Sequence, residues 1–180
     1  MILNPIYDGA QVQKLAHAYS QGNPRWLQLQ QILAPDAYRV LLASLANLRW
    51  REECVPEQSC REVASAPASV RKLFFAHIAP LVQTISGMRV REAHFERYGH
   101  RHYALRHSDS AGVLSYLDLT QNWDVAFGGS MVLHDDVREL LRVAPQDNTL
   151  VLIDCSATQP YVHYINHYAR KRAIVRLVLR

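Results

Sequence analysis

Residues 95–123 read F-E-R-Y-G-H-R-H-Y-A-L-R-H-S-D-S-A-G-V-L-S-Y-L-D-L-T-Q-N-W. His107 and Asp109 stand one residue apart in this stretch, so on an extended segment their side chains share a face and can share one metal ion. Two histidines and one carboxylate on one face of an iron leave the opposite face open for substrate and oxygen, so a further histidine is sought on a distant strand.

The flanks of this stretch differ in texture. After Gly87 come short β-branched and aromatic segments separated by turn residues, the sign of an antiparallel sandwich or barrel. Expected strands run over 88–98, 103–107, 113–119, 130–133, 150–153, 161–165 and 173–179. Before Gly87 helical periodicity prevails. Residues 8–20 form a helix capped by Asp8, and Pro35-Asp36 opens a second with Val40, Leu41, Leu45 and Leu48 on one stripe. A third begins at Pro67, carries Val70, Leu73, Phe74, Ile78, Leu81, Val82 and Ile85, is kinked at Pro80 or divides there into two shorter pieces, and stops at Gly87. Residues 51–66, polar and aperiodic, read as a loop able to lie over an active site.

The fold class expected from this order is α+β, mainly β: a double-stranded β-helix, a jelly roll or cupin-like barrel, with flanking N-terminal helices. The 180 residues suit one domain, with 1–87 as mostly helical support and lid loop and 88–180 as the β-barrel core. No apolar run reaches the roughly 18 residues of a membrane span. The start lacks a secretory signal and the cysteines number three, which together predict a cytoplasmic protein without a disulfide framework. Cys54 and Cys60 lack the spacing of a zinc pair and read as incidental. Ser156 and Cys155 lack a neighbouring base, which excludes the hydrolase motifs. A net charge of +4 favours acidic partners only weakly.

Downstream lie Gly128-Gly129, then P-Q-D-N-T-L-V from Pro145, then Y-V-H-Y-I-N-H-Y-A-R-K-R-A-I-V-R, with His163 in a strand-like run and Arg172 nine positions later. Together with Tyr98, Gly99, His107-Ser108-Asp109, Tyr116-Leu117 and Trp123, in this order, these residues resemble the iron(II) and 2-oxoglutarate-dependent dioxygenases, specifically the prolyl 4-hydroxylase-like branch. The resemblance spans about half the chain, residues 95–179. It implies His107, Asp109 and His163 as ligands of Fe(II). It also implies Arg172 as the cation for the far carboxylate of 2-oxoglutarate, with Tyr116, or Tyr98, donating a further hydrogen bond. The implied reaction is hydroxylation of a C–H bond by O2, coupled to decarboxylation of 2-oxoglutarate to succinate and carbon dioxide, with ascorbate as a reductant.

Some alternatives stay open at this point. His167 precedes Arg176 by the same nine positions, giving a second register; His163 is preferred because Ile165 keeps an apolar residue two positions on and a full strand follows Arg172. Arg172 and Arg176 share strand parity, so Arg176 can face an acidic group on the substrate. His94, His100, His102 and His134 read as lining the surface or the pocket mouth, Asp135-Asp136 as a solvated turn, and Trp123 as packing under the adjoining loop. The substrate best matched is a peptidyl or protein side chain such as proline, with a free amino acid or small metabolite next. A nucleic-acid substrate is disfavoured because Arg172 stands where an R-x-N-x-x-x-R ending requires Asn. A non-catalytic metal-binding interaction domain on the same barrel is the alternative of another class.

Overall fold

Strand β4 (Val90–Tyr98) shows how the chain divides its two faces: Ala93 and Phe95 are buried on one side, Glu96 and Tyr98 on the other. That alternation repeats across the molecule and makes one sheet serve two cores. The computed structural model describes residues 2–105, 112–135, 137–156, 159–169 and 171–179.

Helix α1 (Gly9–Gln21) starts where the Asp8 carboxylate accepts the Gln11 backbone N–H at 2.8 Å, the cap expected from sequence. A short strand, β1 (Trp26–Leu29), leads to α2 (Pro35–Leu45), opened by its proline. Residues 51–66 are not a loop: they form the hairpin β2 (Arg51–Val55) and β3 (Ser59–Ser65). Helix α3 (Ala68–Leu73), a single π turn (Phe74–Ile78) and α4 (Ala79–Ser86) then form one helical run. Pro80 falls in the first turn of α4, where its missing N–H is harmless, and the π turn before it absorbs the mismatch. Gly87 ends the run in the left-handed conformation (φ 75°).

After β4 come β5 (Tyr103–Ala104), β6 (Val113–Asp118), β7 (Met131–His134), β8 (Glu139–Val143), β9 (Thr149–Asp154), β10 (Gln159–Val162) and β11 (Arg172–Leu179). The strands pair antiparallel in the order β1-β9-β6-β11-β4-β3-β5-β10-β7-β8, with β2 on the far side of β3. The sheet curls, which is the jelly-roll arrangement expected from sequence. β1, β2, β3 and β8 were not among the expected strands, and β5 is shorter than expected among the described residues.

The outer core lies between helices and sheet: Phe74, Ile78, Val82 and Ile85 pack on Phe95, Leu117, Leu152 and Val175. The inner core fills the curl, with Leu114, Val151, Ile153 and Ile174 facing Met131, Leu133, Val162 and Ile165. Among the described residues no helix is long and apolar enough to cross a membrane.

Candidate active site

The inner face of the curl is only partly apolar. On β11, Arg172, Ile174 and Arg176 stand opposite Tyr98, Glu96 and His94 of β4, and Ile174 and Arg176 stand opposite Asp118 and Tyr116 of β6. Cross-strand partners share a face, so this register gathers Tyr98, Tyr116, Asp118, Glu96 and both arginines inside the curl.

Arg172 is fully buried. Its Nε and Nη2 donate to Asp118 Oδ2 at 3.2 and 2.8 Å, and its Nη1 donates to the Gly129 carbonyl oxygen. The other Asp118 oxygen accepts the Thr120 backbone N–H at 3.0 Å, so the carboxylate is fixed as well. Burial by itself would disfavour the charged guanidinium, but the Asp118 carboxylate outweighs it and holds the Arg172 pKa above its usual value. A guanidinium has five N–H donors; Asp118 and Gly129 take three among the described residues, and the remaining face of the group lies toward Tyr116.

Tyr116 supplies the next donor. Its ring lies 5.4 Å from the guanidinium carbon, and its buried hydroxyl makes no hydrogen bond of ordinary geometry among the described residues. Burial pushes its pKa up to about 12 against the opposing pull of Arg172, so the hydroxyl keeps its proton to donate. A buried guanidinium beside an unsatisfied buried hydroxyl suits a carboxylate.

Tyr98 is committed elsewhere: its hydroxyl donates to Glu96 at 2.7 Å. Glu96 is completely buried and also meets His94 at 3.1 Å, Arg61 at 3.3 Å and Arg176 at 3.4 Å. Burial would raise its pKa, but the His94 hydrogen bond and the charges of Arg176 and Arg61 hold it well below the carboxylate range.

Gly128 and Gly129 take positive φ (80° and 71°) and bring their backbone against the segment after β10. Gly128 bridges Ile165, Gly129 presents its carbonyl to Arg172, and Trp123 packs on Phe127 and donates from its indole to the Gly128 oxygen at 2.9 Å.

His107 and Asp109 lie outside the described residues. His163 follows β10, exposed, with its backbone N–H donated to Ser130 at 2.8 Å. Its neighbour Val162 pairs with Ala104, the last residue of β5, three positions before His107 in sequence. His167 is also exposed, 6.0 Å from the His100 ring, and the His100 ring lies 3.3 Å from the Tyr164 hydroxyl. Of the histidines read as surface or pocket-mouth residues, His102 is buried between Gly99 and Glu52 and His94 is half-buried on Glu96. Asp135 accepts the backbone N–H groups of Val137 and Arg138, as a turn carboxylate does.

Glu52, Cys60 and His102 place ligand atoms within 4.8 Å of one another, but the Cys60 sulfur is bonded to that of Cys54 across the hairpin. Those two cysteines, read as incidental, form a cross-strand disulfide; their opposition in β2 and β3 was hidden by reading a loop. Asp118, Glu96, Arg61 and the Gly129 carbonyl escaped sequence reasoning. Asp118 and Glu96 stand two positions from Tyr116 and Tyr98, so strand parity alone could have found them.

No family model and no curated protein matches the sequence. Solved structures do match in fold. A prolyl-4-hydroxylase from Pseudomonas putida is 17% identical, aligned over 94% of this chain and 98% of its own, with a TM-score of 0.74. A prolyl hydroxylase from Trichoplax adhaerens, in complex with a hypoxia inducible factor peptide fragment, is 14% identical over 94% and 90%, with a TM-score of 0.75. A 2OG-Fe(II) oxygenase family oxidoreductase from Burkholderia pseudomallei is 15% identical over 94% and 91%, with a TM-score of 0.71. The chain has the double-stranded β-helix fold of these oxygenases.

Proposed function

We propose that this protein is an Fe(II)- and 2-oxoglutarate-dependent dioxygenase that hydroxylates a C–H bond, and that residues 1–180 act as one catalytic domain. The observation that carries it is Arg172: a guanidinium held rigid inside the curl by Asp118 and Gly129, beside the unsatisfied hydroxyl of Tyr116. In this reading Arg172 and Tyr116 bind the far carboxylate of 2-oxoglutarate, and His107, Asp109 and His163 hold the iron. Tyr98 contributes by fixing Glu96 rather than by touching the cosubstrate. The register with Arg172 is favoured over that with Arg176 because Arg176 is turned to Glu96. When bound, iron, 2-oxoglutarate and O2 supply the oxidising power, with succinate and carbon dioxide released. The chain's own task is to orient the cosubstrate and keep water out, which the inner core around Leu114, Val151 and Ile174 does.

The proposed substrate is a peptidyl or protein side chain such as proline, supported by the fold likeness to two prolyl hydroxylases. A small molecule is the second reading; the epimerase SnoN, whose structure holds Fe3+, alpha ketoglutarate and nogalamycin RO, shares the fold at a TM-score of 0.66.

Anaerobic protein mixed with Fe(II) and 2-oxoglutarate should develop the visible charge-transfer band of the chelate, and Asp109→Ala should remove it. No band in the unmodified protein rejects the proposal. Loss of the band in His163→Ala but not in His167→Ala assigns the third ligand, and succinate release in the presence of peptides, amino acids or small metabolites identifies the substrate class.

A further inference from the structure

The inner face does not end at β4. Ser65 and Val63 of β3 stand opposite His94 and Glu96, and Arg51 and Glu53 of β2 stand opposite Val63 and Arg61. The polar face thus runs without a break from Tyr116 through Arg176 and His94 to the hairpin. There it opens into a pocket of about 470 Å³ lined by Arg49, Arg51, Arg61, Glu53 and His94. That volume is in the range of small-molecule sites.

The charges are uneven. Glu53 is shared by Arg51 at 3.3 Å and Arg61 at 3.9 Å. Glu96, at the inner end, is shared by Arg61 and Arg176. Among the described residues Glu53 and Glu96 are each shared between arginines, and Arg49 has no carboxylate within 4 Å. Glu96 is already surrounded by Tyr98, His94 and arginines, so it is not placed to attract a cation. His94 at the pocket floor stands two strands from Tyr116, about 10 Å at ordinary strand spacing.

Resting on the oxygenase reading, we infer that this pocket is a substrate subsite for an anionic group, a carboxylate or a phosphate, anchored by Arg49 and Arg51 at the rim and Arg61 within. The rest of the substrate then extends along the inner face toward the cosubstrate. A planar fork of donors is the chemistry that recognises either anion.

Calorimetric titration of the whole protein loaded with Fe(II) tests this, with only enough 2-oxoglutarate to occupy the site at Arg172, so that this dicarboxylate does not itself fill the pocket. The probes are N-acetylglutamate amide as carboxylate, glycerol phosphate as phosphate and N-acetylglutamine amide as the neutral match. At least one anion should bind about tenfold or more tightly than the neutral probe, since one charge-assisted contact is worth that factor. The double variant Arg49→Gln, Arg51→Gln, both exposed positions, should erase that difference and leave 2-oxoglutarate affinity unchanged. The stronger anion shows which group the subsite takes. The inference is overturned if neither anion outbinds the neutral probe or if the double variant keeps the preference. Failure to bind 2-oxoglutarate defeats the oxygenase reading instead, and the same probe comparison without it still judges the pocket.

Discussion

At the residue scale, Asp118 and Arg172 are a buried ion pair in which each partner is needed to make the other tolerable. Asp118→Ala leaves a buried guanidinium with its carboxylate gone and should cost about 3–5 kcal/mol in urea denaturation. Glu96 ties stability to pH. Its folded pKa lies below the unfolded value of 4.5, so its contribution is complete above that pH and is lost as the pH falls toward the folded pKa. The denaturation midpoint should therefore hold from about pH 7 to about pH 5 and drop below about pH 4.5, and Glu96→Gln should flatten that drop. Gly128 is limited by both conformation and space: at φ 80° an added Cβ would overlap the Tyr164 carbonyl oxygen. Gly128→Ala should cost roughly 2–5 kcal/mol by thermal denaturation.

At the scale of elements, Asn148 ties the chain before α2 to β9. Its side chain accepts the Leu33 N–H at 3.0 Å and donates to the Leu33 oxygen at 2.9 Å, and its φ of 48° is one that asparagine tolerates. Asn148→Ala should cost about 1–3 kcal/mol and speed hydrogen exchange at Leu33 before it affects β4. The hairpin β2–β3 shows why part of the fold was illegible in the sequence. A strand is read from apolar residues at every second position, and here the inward positions Arg51, Glu53 and Arg61 are charged because they line a pocket. Strands β4, β6, β9 and β11 were legible because each buries an apolar face on the outer core. The helices were legible from stripe and caps. The π turn was not, since nothing in F-F-A-H-I departs from helical composition.

At the scale of the whole molecule, the outer core fastens the helices to the sheet and leaves the inner face to polar groups. If Arg172 and Tyr116 bind 2-oxoglutarate, that ligand at a hundredfold its Kd should add about 2.7 kcal/mol to stability. The accompanying rise in Tm should vanish in Arg172→Ala. Arg172, Tyr116 and Gly128-Gly129 could be singled out in the sequence because their order and spacing resemble a family. Strand parity places Asp118 on the same face as Tyr116, but its pairing with Arg172, 54 positions away, and the bond from Arg172 to the Gly129 carbonyl leave no local trace.

The alternation first seen in β4 also bears on how this protein can change over time. Because Ala93 and Phe95 face the helices while His94, Glu96 and Tyr98 face the interior, neighbouring positions on this strand answer to different neighbours when substituted. A library that varies only positions 51, 53, 61, 63, 65, 94 and 176 would search new chemistries while leaving the residues that fasten helices to sheet untouched. Of those positions, 61, 94 and 176 also hold the buried Glu96, so changes there must be made with that carboxylate in view.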